Sequence, residues 1–236
     1  MFTKSEAFYD AIYGTMKDYE KEAQQIHAVI LRYKQSPGNA LLDVACGTAA
    51  HLAFLRRDYT VVGLDFDEEM LAIARRRNPG VAFHHADMAD FDLGHTFDVV
   101  MCLFSSIGYT KTLPRMRLAL QTMRRHLNPG GVLLIEPWLA PEMYKIGHLA
   151  ATFVNQPDLK IARMNKAEVE GRVSIMNFHY LVATPVGIEH FTELHELGLF
   201  SHEEYLDAFR ASGLEVVHDP DPEKLTGRGL YIGVAR

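Results

Sequence analysis

Three carboxylates and a glycine, each at the end of a short apolar run, mark where this chain can do chemistry. Leu41-Leu42-Asp43-Val44-Ala45-Cys46-Gly47-Thr48-Ala49 reads as a buried strand that turns at Gly47 and enters an amphipathic segment, His51 to Arg57. A glycine there lets the backbone turn with positive φ and approach a ligand closely. Thr60 to Asp65 reads as a second buried strand ending in an acid, about 20 residues beyond the glycine, where a carboxylate can accept hydrogen bonds from a ribose diol. Val81 to Asp87 gives a third. Asp87 is placed to meet an adenine amino group, and Met88 to cover its ring. A phosphate-bearing cofactor asks for more glycines and for Lys or Arg beside the turn. This loop instead offers Asp43, Ala45 and Ala49, which suit a ligand with a positive charge and no phosphate. A dinucleotide site with a degenerate loop is the competing reading.

The elements that must hold these residues follow from the periodicity. Strands at 41–45, 60–66, 81–87, Phe97 to Phe104 and Gly131 to Glu136 alternate with helices at 48–57, 67–77 and about Leu113 to Leu127. Asn128-Pro-Gly-Gly131 is expected to stop the last of these helices. Such alternation specifies a parallel, doubly wound α/β sheet. Ahead of it, Ser5 to Tyr13 and Lys17 to Tyr33 read as helices able to close over the ligand edge of the sheet. After Pro137 the pattern turns to alternation, with strands at Arg163 to Glu170, Arg172 to Ala183 and Ile188 to Leu199 joined by turns at Glu170-Gly171 and Thr184 to Gly187. These three make an inserted antiparallel sheet above the carboxyl ends of the main strands. It reads as a substrate platform, with an oligomer interface as the competing role. Ser201-His-Glu-Glu204 is a capping box that opens a helix ending at Ser212-Gly213, and strands Leu214 to Val217 and Gly229 to Val234 finish the chain. The expected division is a core over 1–139, the inserted sheet over 140–199 and a core-completing segment over 200–236.

Composition narrows the function classes. Of 236 residues, 24 are basic and 30 acidic, a formal net charge of -6, which argues against a nucleic-acid surface. Arg75-Arg76-Arg77 and Arg124-Arg125 sit near helix C-termini, where they complement the dipole. No apolar run approaches the roughly 20 residues needed to span a bilayer. The first residues carry no signal-peptide core, so the expectation is a cytoplasmic protein with no membrane partner. The two cysteines, Cys46 and Cys102, suit buried reduced thiols. No metal is expected: the 12 histidines show no ligand spacing, and His84 and His85 point to opposite faces of a strand.

With acids at the ends of three successive strands, the chain resembles the class I S-adenosylmethionine-dependent methyltransferases. Further segments look like one branch of that class, the N,N-dimethyltransferases acting on TDP-linked amino sugars in desosamine and mycaminose biosynthesis. They are Tyr9-Asp10, Lys17-Asp18-Tyr19, Asp43 to Thr48, Phe104-Ser-Ser-Ile-Gly-Tyr109, Glu136-Pro-Trp138, Phe178-His-Tyr180, His190 to His195, Ser201 to Gly213 and Thr226 to Leu230. The match spans nearly the whole chain, including the insertion. It implies a Rossmann-like, mainly parallel seven-stranded sheet with an inserted antiparallel sheet after strand five. It also implies S-adenosyl-L-methionine as cofactor, S-adenosyl-L-homocysteine as product, and two direct displacements at the amine of a TDP-linked 3-amino-3,6-dideoxyhexose. Antibiotic biosynthesis, a small-molecule nucleotide-sugar partner and room for a homodimer complete the implication. One departure stands out: the family loop continues Gly-Thr-Gly, whereas this chain has Ala49. If that glycine serves helix–strand packing, Ala replaces it and cofactor binding survives.

Carried onto this sequence, the resemblance implies cofactor contacts from Tyr9 and Tyr19 in the N-terminal helices, from Asp43, Ala45 and Gly47 in the loop, and from Asp65, Phe66, Asp87, Met88 and Phe104 at later strand ends. Tyr9, Tyr109 and His179 are the catalytic candidates, to orient the amine or take its proton. On the acceptor side, Ser105 and Ser106 are candidates for sugar hydroxyls, and Trp138 and Tyr180 for pocket contacts. Arg228, between two glycines, is the candidate for a diphosphate, with Arg163 second. Two alternatives stay open: a methyltransferase for a small amine or amino acid, and a cofactor-binding module without turnover.

Overall fold

A computed structural model describes residues 5–14, 16–220 and 227–236. The chain opens with a 310 turn at Glu6–Phe8, helix α1 (Tyr9–Tyr13) and helix α2 (Tyr19–Tyr33), whose first turn is capped by the Asp18 carboxylate accepting from the Lys21 N–H. Strands β1 (Ala40–Val44), β2 (Thr60–Asp65), β3 (Ala82–His85), β4 (Phe97–Cys102) and β5 (Leu127–Ile135) then alternate with α3 (Leu52–Leu55), α4 (Glu68–Arg77) and α5 (Leu113–Arg125). Strands β6 (Leu149–Gln156), β7 (Leu159–Glu170), β8 (Val173–Thr184) and β9 (Gly187–Gly198) form the insertion. Helix α6 (His202–Ala211), β10 (Leu214–Asp219) and β11 (Leu230–Ala235) close the chain.

The main sheet has seven strands in the order β10-β11-β5-β4-β1-β2-β3. All pairs from β5 to β3 are parallel, while β11 runs antiparallel to both β5 and β10. This is the doubly wound, mainly parallel sheet that the sequence leads one to expect. Its strands bury both faces, and the period of two sorts their side chains. Leu41, Val99, Met101 and Leu134 pack under α2 and α3, whereas Leu42, Val100, Cys102 and Leu133 pack under α5 and α6. The capping box forms as expected: Ser201 Oγ accepts from the Glu204 N–H, and the Glu204 carboxylate accepts from the Ser201 N–H. Cys46 and Cys102 are free thiols. Among the described residues no helix is long and apolar enough to cross a membrane, and no cluster of His, Cys, Asp or Glu suits a metal.

Three differences from the sequence reading have physical causes. The inserted sheet has four strands, not three. The extra one, β6, shows no inside-outside alternation, because it is an edge strand with Leu149 and Phe153 exposed and Val154 buried. Asn128-Pro-Gly-Gly131 lies inside β5 rather than before it, with a register irregularity opposite Phe97 to Val99. Gly130, at φ 76°, turns its carbonyl to the N–H groups of Gln35 and Ser36. The helix expected over 48–57 shrinks to α3, because Ala49 adopts φ 55° and breaks the turn before it.

Candidate active site

The cofactor end is built by backbone geometry at the carboxyl edge of β1, β2 and β3. Ala45, Gly47 and Ala49 all take left-handed φ, at 59°, 54° and 55°. A Cβ on Gly47 would meet nothing within 4 Å, so the glycine serves the turn and leaves the space above it open. Its N–H donates to Asp65 Oδ2 at 2.7 Å, and the Asp67 N–H donates to Oδ1 at 2.9 Å. One carboxylate thus ties the ends of β1 and β2 together, with lone pairs left for a diol. Asp67 caps α4 by accepting from the N–H groups of Glu69 and Met70.

Two cavities meet over this loop. One, of about 610 Å³ including open solvent, runs past Ala45, Gly47, Asp65, Phe66, Met70 and Met88. The other, of about 400 Å³ including open solvent, also touches Gly47 and runs against Tyr19, Asp43, Thr48, His51 and Phe104. Burial and then the charge of Asp65 push the Asp43 carboxyl well above the usual carboxylate range; burial, against the Gly47 hydrogen bond, raises Asp65. A buried acid, Asp43, and a half-buried one, Asp65, under a glycine with no Cβ fit an adenosine carrying a sulfonium, whose positive charge they would favour. Tyr9 overhangs both cavities.

Beyond Tyr9 opens a third cavity, of about 1310 Å³ including solvent, lined from both ends of the chain. Tyr13 and Lys17 come from the N-terminal segment, Phe104 to Tyr109 from the turn after β4, Trp138 from the exit of β5, Arg163, Phe178 and His195 from the inserted sheet, and Arg228 from the approach to β11. Tyr9, Ser106 and Tyr109 line both this cleft and the larger cofactor cavity. Burial holds the phenols of Tyr9 and Tyr109 well above their ordinary pKa, so both stay protonated and act as hydrogen-bonding groups. Among the described residues, the charged side chains that line the cleft are the cations Lys17, Arg163 and Arg228. Lys17 Nζ lies 2.8 Å from Glu22 and 4.1 Å from the Phe104 ring centroid. Arg163 donates to Tyr13 Oη at 2.9 Å and to Thr152 Oγ1 at 3.2 Å. Arg228 stacks on the Trp138 ring at 4.7 Å and donates to Ser105 Oγ at 3.0 Å. Burial pulls the Arg228 pKa down, the state of a cation short of solvent.

Most expected residues converge here, but four are placed otherwise. His179 is exposed on the outer face of the inserted sheet, its ring 5.6 Å from that of His190, because β8 alternates and turns Phe178 and Tyr180 inward instead. It is therefore no catalytic candidate. Tyr180 faces inward but is fully buried, stacked on Phe191 at 4.8 Å, and forms no wall of the cleft. Asp87 turns its carboxylate to Arg115 and to the Ala89 N–H, leaving Ala86 and Met88 on the cofactor wall. Ser105, 2% exposed, donates to the Pro137 carbonyl at 2.7 Å and accepts from Arg228, so it positions an arginine rather than a sugar hydroxyl. Arg228 itself is half-buried. Thr226, expected as part of the same segment, lies outside the described residues. Ala49 also corrects an expectation. Its position demands left-handed backbone as well as close packing, and alanine adopts it with its N–H donating to the Cys46 carbonyl at 2.8 Å. His195 was missed as a site residue, although it alternates with Glu193 and Phe191 on one face of β9.

Comparison with known proteins agrees with this geometry. Residues 41–131 match the model of a methyltransferase domain family. The chain is 42% identical, over 96% of its length and 89% of the relative, to dTDP-3-amino-3,6-dideoxy-alpha-D-glucopyranose N,N-dimethyltransferase of Streptomyces fradiae. It is 39% identical, over 96% of its length and 90% of the relative, to dTDP-4-amino-2,3,4,6-tetradeoxy-D-glucose N,N-dimethyltransferase of Saccharopolyspora spinosa. Its fold superposes with a TM-score of 0.87, at 38% identity and over 100% of this chain and 98% of the other, on the SAM-bound amino pentose methyltransferase from Micromonospora echinaspora involved in calicheamicin biosynthesis.

Proposed function

The chain belongs to the dTDP-amino-sugar N,N-dimethyltransferases, S-adenosylmethionine-dependent enzymes of class I, and from that premise we propose that it converts the amine of a dTDP-linked 3-amino-3,6-dideoxyhexose to a dimethylamine in two successive transfers. The observation that carries the reading is the junction at Tyr9, Ser106 and Tyr109, which joins an acid-lined cavity to a cleft lined by Lys17, Arg163 and Arg228. A sulfonium belongs on the first side and a nucleoside diphosphate on the second.

Bound S-adenosylmethionine supplies an electrophilic methyl group, so the protein has to place a neutral amine in line with it. Positioning of this kind contributes roughly 7–11 kcal/mol to a bimolecular step. Tyr9 and Tyr109 hold the nitrogen at the junction. Arg228 receives the diphosphate, backed by Ser105 and Trp138, with Arg163 and Lys17 adding positive charge to the same cleft. Asp43 and Asp65 favour the cationic form of the cofactor over its neutral product. Residues 1–139 with 200–236 serve as the cofactor-binding core and 140–199 as the acceptor platform. The exposed outer face of that platform, with Leu149, Phe153 and Ile188, fits the interface of a homodimer, which light scattering would exclude by returning a monomer mass. A cytoplasmic enzyme that binds neither nucleic acid nor membrane, in the biosynthesis of an amino-sugar-bearing antibiotic, completes the reading.

The test is mass spectrometry of reactions with excess S-adenosylmethionine and dTDP-linked 3-amino and 4-amino sugars. Mass gains of two methyl groups on the 3-amino sugar are expected. Faster turnover of the 4-amino sugar would move the nitrogen to C4, the position named for the Saccharopolyspora relative. Methylation of free small amines alone would remove the nucleotide sugar from the reaction.

A further inference from the structure

His195 is buried on β9, its ring edge against Phe178 at 5.2 Å, and its Nδ1 lies 2.6 Å from Tyr109 Oη. Its other nitrogen, Nε2, faces the Glu193 carboxylate at 3.8 Å. That carboxylate is itself fixed, because Ser5 donates to it from its N–H at 2.9 Å and from Oγ at 2.6 Å. A carboxylate on the Nε2 side favours the tautomer with its proton on Nε2. Nδ1 is then an acceptor, and the hydrogen bond at 2.6 Å runs from the Tyr109 hydroxyl to His195. Burial holds the imidazole below its ordinary pKa and the phenol above its own, so both partners are neutral, as this arrangement requires.

We infer that His195 is a positioning residue that commits the Tyr109 hydroxyl hydrogen away from the cleft, so that the phenolic oxygen meets the substrate as an acceptor and the site counts the N–H bonds of the amine. The inference rests on the amino-sugar reading above. A primary amine brings two N–H bonds, and one held by Tyr109 aims the lone pair at the methyl carbon. The N–C bond forms as the S–C electron pair returns to sulfur, leaving a thioether and a secondary ammonium that loses a proton to solvent. The secondary amine brings a single N–H, so only one of the two phenols can accept from it, and Tyr109, whose hydrogen is committed to His195, is that acceptor. The neutral tertiary amine has a lone pair and no N–H. Nothing then turns that lone pair toward a sulfonium, and the sequence stops before a quaternary ammonium.

The test compares the wild-type enzyme with His195→Phe, which removes the acceptor, and His195→Asn, whose amide oxygen can stand where Nδ1 does. Single-turnover mass spectrometry gives the rates of the first and second transfers separately. Calorimetry with S-adenosylhomocysteine present, above the pH at which the amine titrates, gives the affinities of the monomethyl and dimethyl sugar nucleotides. Loss of one hydrogen bond predicts that Phe slows the second transfer about tenfold more than the first, and that Asn restores the ratio. Wild type should bind the monomethyl compound about tenfold tighter than the dimethyl one, with the preference erased in Phe. Equal slowing of both transfers, or an unchanged affinity ratio, would overturn the inference. Should the Phe variant fail to bind S-adenosylhomocysteine, His195→Gln, whose amide reaches past the Nδ1 position, replaces it in both measurements. A wild-type enzyme that methylates no dTDP-amino sugar would instead defeat the functional reading itself, an outcome visible before any variant is made.

Discussion

The two halves of the site share Tyr9, Phe104, Ser106 and Tyr109 and are otherwise opposites. The cofactor half is acidic and is assembled by backbone: left-handed residues in one loop, and a carboxylate accepting from two N–H groups. The acceptor half is cationic and is assembled by side chains from both ends of the chain and from an inserted sheet. The difference assigns the two ligands by charge. A cation is favoured where Asp43 and Asp65 line the cofactor cavities, and an anion where Arg163 and Arg228 line the cleft. It also predicts that each half can be damaged without the other.

The sharpest break of this comparison is Asp65→Ala. It removes the acceptor of the Gly47 and Asp67 N–H groups and, on the proposed reading, of the ribose diol, and should weaken S-adenosylmethionine binding by about 1–3 kcal/mol. Calorimetry with dTDP alone should return the wild-type affinity; a parallel loss there would mean that the halves are coupled. Next in size is Arg228→Ala, which touches the other half. If Arg228 holds the diphosphate, that contact is remote from the methyl group and the same before and during transfer, so KM for the sugar nucleotide should rise about tenfold with kcat unchanged. A fall in kcat at constant KM would move Arg228 toward the reacting atoms. The smallest effect sharpens the account of the loop. Ala49→Gly relieves left-handed strain of roughly 1 kcal/mol but adds about 0.5–1 kcal/mol of backbone entropy, so thermal stability should change by less than about 0.5 kcal/mol. A large gain would show that the native alanine is held under real strain.

The same contrast explains what was legible in the sequence. Asp43, Gly47, Asp65 and Met88 lie at the ends of short buried strands, and the β-α rhythm fixes them to one edge of the sheet. The acceptor side depends on strand facing, which alternation alone leaves open between two choices. Phe178, His179 and Tyr180 are adjacent, yet one lines the cleft, one faces outward and one lies in the core. Taking all three together as a motif hid that difference, and His195, on the inward side of β9, went without a role. Strand β6 was missed because an exposed edge strand needs no alternation. Asp87 was misplaced for a different reason. Its partner, Arg115, is 28 residues away on α5, and no local pattern announces such a pairing.

Helix α1 touches everything at once. Ile12 packs into the inserted sheet beside Tyr180 and Phe191, Tyr9 roofs the cofactor cavities, and Asp10 accepts from Thr48 in the cofactor loop and pairs with Arg77 at the end of α4. A dimethylamine consumes two molecules of cofactor, so cofactor must exchange between transfers past the residues that cover its cavities, Tyr9 among them. A partly exposed ion pair contributes about 0–1 kcal/mol, weak enough to open on every cycle and sensitive to added salt. Release of S-adenosylhomocysteine should therefore quicken as ionic strength rises, and a release rate indifferent to salt would place the gate elsewhere. The helix is then a clock as well as a cover: its dwell time sets whether the half-methylated sugar waits for a second cofactor or leaves and returns.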